Sequence, residues 1–293
     1  MNQAIFRNKW LPYVLIIPQI TITIVFFFWP AFTSLRLAVY KTSPFGDRTI
    51  FVGLQNFQRL FQSAQYRNSL VATLVFSGCV TILGVMVSLG IALLLNQKIR
   101  GLTLYRTAIL WPYGIAPSVA GILWMFMLHP SFGVISHWLR GKVGFNFDWI
   151  LNGNAAMILI ILTAIWNNLG YNVAFFLAGL QAIPKSLLEA SSVDGATSLK
   201  SVLHITLPLL SPTTFFLIVM NVIYSLFSTF GLVDAVTKGG PAGATEILIY
   251  KAYKDGVISA NLGSSAAQSV VLMVIAISLT AIQFKYMERK VSY

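Results

Sequence analysis

The chain has 293 residues, 57% of them hydrophobic and 10% charged, against roughly 45–50% and about 25% in a soluble domain. With a mean hydropathy of +0.76, that balance excludes a soluble globular fold and leaves no length for a large enzyme domain outside a membrane. Twenty Lys and Arg against eight Asp and Glu give a formal charge of +12, which in so apolar a chain suits anionic headgroups and cytoplasmic loops, not nucleic acid.

Cutting the sequence at every Asp, Glu, Lys and Arg leaves six long uncharged runs: Trp10–Leu35, Asn68–Gln97, Thr107–Leu139, Trp149–Pro184, Ser201–Val233 and Gly256–Phe284. Each is long enough for a helix across about 30 Å of hydrocarbon, and none alternates in polarity as a barrel strand would. Helices also satisfy their backbone groups within the segment, as lipid requires. The predicted class is an all-α polytopic membrane protein with six transmembrane helices.

The first run begins behind Arg7 and Lys9, carries Trp10 and Trp29 at its ends, and shows no small-residue cleavage site. It reads as a retained anchor, so that residues 1–65 form a first helix and an external connection. In the second run Gly84, Ser88 and Ala92 recur every fourth residue and permit close helix packing. The lone cysteine, Cys79, excludes an intrachain disulfide and a cysteine-based metal site. The three histidines, His129, His137 and His204, lack metal-ligand spacing.

The fourth, fifth and sixth runs carry uncharged polarity at helical spacing. Asn168 and Asn172 lie four apart beside Asn167 and Tyr171; Asn221, Ser225 and Thr229 repeat every fourth residue beside Tyr224 and Ser228; Ser264, Ser265, Gln268 and Ser269 continue the pattern. Two readings stand. One is a passage for a hydroxylated or phosphorylated solute, lined by Asn168, Tyr171, Asn172, Asn221, Tyr224, Ser225 and Gln268. The other is interhelical hydrogen bonding at about 0.6 kcal/mol per contact.

The runs hold no carboxylate, Lys or Arg, so the groups that relay protons or bind coupling ions at mid-membrane are missing. No G-x-x-x-x-G-K-[ST] phosphate loop and no G-x-S-x-G elbow occurs. Energy for transport then comes from another subunit, and the chain reads as a permease, not an enzyme. Lys98, Arg100 and Arg106 crowd one short loop, and Lys285, Arg289 and Lys290 the tail 285–293, which places both termini in the cytoplasm. The long external connections are then 36–67 and 234–255, and 185–200 is an internal loop.

That loop reads Pro184-Lys185-Ser186-Leu187-Leu188-Glu189-Ala190-Ser191-Ser192-Val193-Asp194-Gly195. Pro184 suits the first position of a short helix and Gly195 the left-handed residue that ends one. Leu187, Leu188 and Val193 form an apolar contact surface, while Glu189 and Asp194 are open to basic partners. Glu189-Ala190-Ser191, three residues, Gly195, nine residues, then Ile205-x-Leu207-Pro208 resembles the EAA motif of binding-protein-dependent ABC importer permeases. Ser191 stands where that family usually has a second alanine. Lys9–Tyr13, Val52-Gly53-Leu54-Gln55-Asn56-Phe57, Pro112-Tyr113 with Ala116-Pro117, Gly239-Gly240-Pro241 and Ile249-Tyr250-Lys251 are similar to carbohydrate-type permeases of that family. Ser43–Gly46 and Ser264–Met273 resemble its glycerol-3-phosphate branch.

The resemblance implies a type I permease fold, with an ABC transmembrane domain over 66–284 and a coupling loop at about 184–208 in the plasma (inner) membrane. Glu189, Ala190, Asp194, Gly195, Ile205, Leu207 and Pro208 would form the ATPase-coupling loop. The implied partners are a second, dissimilar permease, two cytoplasmic ATPase subunits that hold the ATP and Mg, and an external solute-binding protein, for which Gly53, Gly239, Gly240 and Pro241 mark candidate docking surfaces. The implied substrate is sn-glycerol-3-phosphate; a neutral sugar or glycerophosphodiester, or a self-sufficient secondary transporter or channel, are the alternatives.

Overall fold

The computed structural model describes residues 10–42, 49–97 and 100–290. Arg7, Lys9, Lys98 and the Ser43–Gly46 stretch lie outside the described residues. Among the described residues, five helices are long and apolar enough to cross a membrane: Leu11–Ala38, Ala64–Leu95, Gly153–Ala182, Ser211–Ser228 and Leu262–Lys285. They are spans 1, 2, 4, 5 and 6. Span 3 is a bent pair, Leu102–Gly114 and Pro117–Met127, whose halves meet at 107°.

The chain divides into two compact units. The first contains the described residues of Met1–Ser63 together with Ala252–Val271. Span 1 contains a π turn at Ile24–Phe28, just before Pro30, which has no N–H to donate and whose ring crowds the carbonyl four residues back. After it, β1 (Tyr40–Thr42) and β2 (Thr49–Phe51) pair antiparallel with Tyr40 opposite Phe51. The sequence reading assigned no strand here. The Val52–Phe57 motif closes this hairpin: Gly53 takes a positive φ of 56°, and the Asn56 amide donates to the carbonyls of Ala38 and Tyr40, both at 2.9 Å. Helix Gln55–Gln62 is thereby tied to the end of span 1.

The second unit, Ala64–Lys251 with Leu272–Tyr293, is built on the pairing of spans 2 and 4. Its core includes Val85, Ala92, Val173, Phe176, Leu210 and Leu217. Gly84, Ser88 and Ala92 all face inward, and a Cβ on Gly84 would lie 3.7 Å from Asn221 Oδ1 and 3.8 Å from Asn172 Nδ2. Small residues on span 2 therefore bring the polar positions of spans 4 and 5 against it.

One sequence expectation needs correction here. The run Thr107–Leu139 is not one straight helix. Pro117 disfavours helical geometry in Ala116 before it, Pro112 has no N–H to donate to the carbonyl four residues back, and the chain passes through a short 3-10 turn, Trp111–Gly114, into extended Ile115 and Ala116. Its end, Val134–Val143, is a separate helix outside the span. The last helix continues through 285–290 to Lys290; 291–293 lie outside the described residues. Gly239 is buried, and Gly53, Gly240 and Pro241 are half-buried. Thr245 Oγ1 lies 2.7 Å from both Thr237 Oγ1 and the Gly240 carbonyl, and Gly239, at φ +78°, sits against the ring of Tyr250.

Close approach between span 3 and span 4 depends on Gly170. A Cβ there would meet the Leu110 carbonyl oxygen at 2.8 Å and Leu110 Cα at 2.9 Å, both backbone atoms that cannot swing away. Gly170→Ala is expected to destabilise the bundle by about 1–3 kcal/mol, the usual cost of overpacking, read as a lower unfolding midpoint in detergent. Gly78→Ala, which enters open space on span 2, is the control that leaves the midpoint unlowered.

Candidate functional site

Spans 4 and 5 meet through asparagines. Asn221 Oδ1 accepts from Asn168 Nδ2 at 3.0 Å and from Asn172 Nδ2 at 3.1 Å. Asn221 Nδ2 donates to Asn172 Oδ1 at 2.8 Å and to the Leu217 carbonyl at 2.7 Å. Both donors and both acceptor directions of this amide are used, and all three residues are buried. One turn on, Ser225 Oγ lies 2.6 Å from Ser77 Oγ of span 2, so three spans share one polar seam.

Beside the seam lies the break in span 3. Asn167, 3% exposed, donates its two amide hydrogens to the carbonyls of Pro112 at 3.0 Å and Ile115 at 2.9 Å. Its Oδ1 accepts from Tyr224 Oη of span 5 at 3.1 Å. Tyr224 opens a π turn, Tyr224–Ser228, beyond which the chain continues as the short helix Phe230–Val236. Irregular backbone thus occurs in spans 3 and 5 on either side of one asparagine. Beyond the two breaks, Pro117–Met127 and Phe230–Val236 pack through glycines: a Cβ on Gly121 would lie 2.7 Å from Val236 Cγ2, and Gly231 fits against Ser118.

Of the sequence-predicted path residues, the structure brings Asn168, Asn172, Asn221, Tyr224 and Ser225 into this seam. Tyr171 lies on its flank, half-buried, with its ring 5.4 Å from Tyr113 and 4.8 Å from Phe175. Gln268 belongs to the other compact unit. There its Nε2 donates to Asp255 Oδ2 at 2.6 Å and approaches Ser264 Oγ at 3.2 Å. Asn167 has the largest structural role and was noted in the sequence only as a neighbour. The signal that could have found it is the Pro112/Pro117 pair, which announces free carbonyls in need of a donor.

The loop between spans 4 and 5 forms the helix Lys185–Val193. Pro184 lies one residue before that helix, in extended geometry, and not at its first position as expected. Gly195 takes φ +76°, and the Ala196 N–H returns to the Ser191 carbonyl at 3.0 Å, which closes the helix end as the glycine predicts. Glu189, Ala190, Asp194 and Gly195 are exposed along one surface, joined by Val193 at 87% exposure. Ile205 and Leu207 are half-buried and Pro208 is exposed. Leu188 departs from the expected contact surface: it turns inward to line a cavity of about 340 Å³ with Leu93, Leu180 and Ile183. Ser191 is buried; its Oγ bonds the Leu188 carbonyl at 2.8 Å and lies 3.2 Å from Ser201 Oγ. The hydroxyl thus joins the loop helix to the segment that leads into span 5.

Residues 103–293 match the family of binding-protein-dependent transport system inner membrane components. The chain belongs to that family. This permease is similar over its full length to the sn-glycerol-3-phosphate transport system permease proteins UgpA of Rhizobium meliloti (52% identity, 100% of both chains) and Agrobacterium fabrum (50%, 100% of both). The corresponding protein of Pectobacterium atrosepticum is 46% identical over 100% of this chain and 99% of its own. Among solved structures, a bacterial ABC transporter that imports the acidic polysaccharide alginate superposes with a TM-score of 0.82 at 23% identity, over 97% of both chains. The same kind of transporter, in complex with an alginate-pentasaccharide-bound periplasmic protein, gives 0.80 over 94% and 93%. The fold is that of an importer permease, and the protein is an inner-membrane transport component.

Asn167→Leu keeps the branching of the side chain and removes the donors; the Pro112 carbonyl retains the Ile115 N–H at 3.1 Å, so the expected cost is about 1–3 kcal/mol for the Ile115 carbonyl left unpaired. Tyr224→Phe, which removes one hydrogen bond and orphans no backbone group, should cost about 1 kcal/mol. Denaturant titration of the purified chain ranks the two.

Proposed function

We propose that this chain is one of two dissimilar permease subunits of an ABC importer and forms half of the path for sn-glycerol-3-phosphate. What carries the reading is the full-length similarity to permeases of that transport system, about half of all positions being identical. The exposed loop helix supports the coupling role: Glu189, Ala190, Asp194 and Gly195 face a cytoplasmic ATPase, which binds the ATP and Mg that this chain has no motif to hold. Both termini then lie in the cytoplasm, and the external binding protein delivers solute on the opposite side.

Transport proceeds by alternating access, which requires contacts that differ between two states. A displacement of the loop helix reaches span 5 by two routes, through the chain at Gly195 and through the Ser191–Ser201 contact. Span 5 in turn bears Asn221 and Tyr224, so loop motion is delivered to the polar seam. Asn168, Asn172, Tyr171 and Ser225 with these two residues, and Gln268, are the candidate path positions. The uncharged runs supply no fixed cation for a phosphate dianion. Transit past this subunit is therefore weakly held, and selection falls mainly to the binding protein.

The deciding experiment is affinity purification of the tagged chain from native membranes, mass spectrometry of its stoichiometric companions, and reconstitution with the cognate binding protein. A second six-span permease, a P-loop ATPase and ATP-dependent uptake of glycerol-3-phosphate are expected. A chain recovered alone and active without ATP would overturn the importer, and uptake of only a neutral sugar would overturn the substrate. In the reconstituted system Gly195→Pro should reduce uptake to background while insertion and copurification persist, since proline is held near φ −65° and cannot adopt the positive φ found here. Undiminished uptake in that variant would remove Gly195 from the coupling role.

A further inference from the structure

The connection between spans 3 and 4, residues 128–152, carries a helix of its own and several exposed apolar side chains. Trp149 Nε1 donates to the Leu128 carbonyl at 3.0 Å, across its two ends. The Arg140 guanidinium donates to the Pro130 carbonyl at 2.6 Å and to Asn146 Oδ1 at 3.1 Å. Gly144, at φ +70°, ends the helix Val134–Val143. These contacts hold the helix within the connection.

That face is amphipathic in a particular way. Ser136 is buried and Ile135 and Leu139 are half-buried, which defines the side packed on the protein. Val134 and Trp138, one turn apart on the opposite stripe, are 77% and 58% exposed, and Phe132 and Phe145 extend the apolar surface at either end. Lys142 flanks the stripe and is exposed. The single carboxylate of residues 128–152, Asp148, is turned onto the backbone N–H groups of Ile150 and Leu151 at 3.0 and 3.2 Å. Phe126 and Met127 on the last turn of span 3 are exposed as well, and exposed Phe132 lies between them and the helix.

We infer that Val134–Val143 is an interfacial helix lying in the leaflet on the side opposite the coupling loop, with Val134 and Trp138 at the acyl boundary and Lys142 among anionic phosphates. An apolar stripe, a tryptophan at headgroup depth and flanking cations are the chemistry of such helices. It holds the end of the bent span 3 at a fixed depth. The position of the helix depends only on the chain being a membrane protein and not on the transported solute.

The test uses the full chain, purified with its companion subunits and placed in phosphatidylcholine–phosphatidylglycerol nanodiscs. Cys79→Ser removes the native thiol, and Val134→Cys carries an environment-sensitive fluorophore. Expected is strong quenching by a lipid bearing a nitroxide near the headgroup and weak quenching by aqueous iodide. Nitroxide-labelled phosphatidylglycerol should quench better than labelled phosphatidylcholine, and Lys142→Gln should reduce that preference by up to about fivefold, the worth of one cation at an anionic surface. Dominant iodide quenching would put the helix in water, and protection from both quenchers would put it under another protein. Either result overturns the inference. Equal quenching by the two labelled lipids would overturn the anionic partner.

Discussion

Inside a bilayer a peptide carbonyl without a partner has no water to turn to, and span 3 frees such carbonyls where it turns through 107°. The rest of the second unit is arranged around that fact. Asn167 brings a donor pair to the Pro112 and Ile115 carbonyls, and Gly170, three residues further along the same face, removes the side chain that would keep span 3 at a distance. Without both, the irregular stretch could not be held at membrane depth. Because Asn167 Oδ1 also takes the Tyr224 hydroxyl, the backbone repair is shared with span 5, and three spans become one hydrogen-bonded body.

This gives the polar residues two kinds of duty. The Asn168–Asn172–Asn221 cluster welds regular helix to regular helix, with every group of Asn221 engaged. Asn167 and Tyr224 sit where two helices stop being regular. The weld holds spans 4 and 5 in register. Hydrogen bonds in such a seam are individually modest, which suits a machine that must rearrange without unfolding.

Much of this was legible beforehand. Uncharged runs marked all six spans because the cost of burying a charge in lipid is the strongest signal a membrane sequence carries. The loop helix and its glycine terminator followed from Gly195, where only a positive φ closes the turn. What stayed hidden had no cost in the linear sequence. The hairpin of Tyr40–Phe51 is a pairing between residues far too few to show a periodicity. The inward turn of Leu188 depends on the ends of spans 2 and 4, which no local pattern reports. Asn167 looked like one more polar residue beside Asn168, since its importance comes from carbonyls 52 and 55 residues away. The grouping of Gln268 with Asp255 and Ser264 likewise depends on the turn before span 6, not on helical spacing alone.

The glycine contacts between Pro117–Met127 and Phe230–Val236 carry a consequence for how this sequence can drift. Gly121 is pressed against Leu232 and Val236, and Gly231 against Ser118, so each short helix supplies the notch for the other's bulk. A larger residue at 121 calls for smaller ones at 232 and 236, and a larger one at 231 for a smaller one at 118. These five positions therefore form a heritable unit. Recombination that joins one half-helix from this chain to the other from a distant relative would fail at that seam even when every residue involved is apolar.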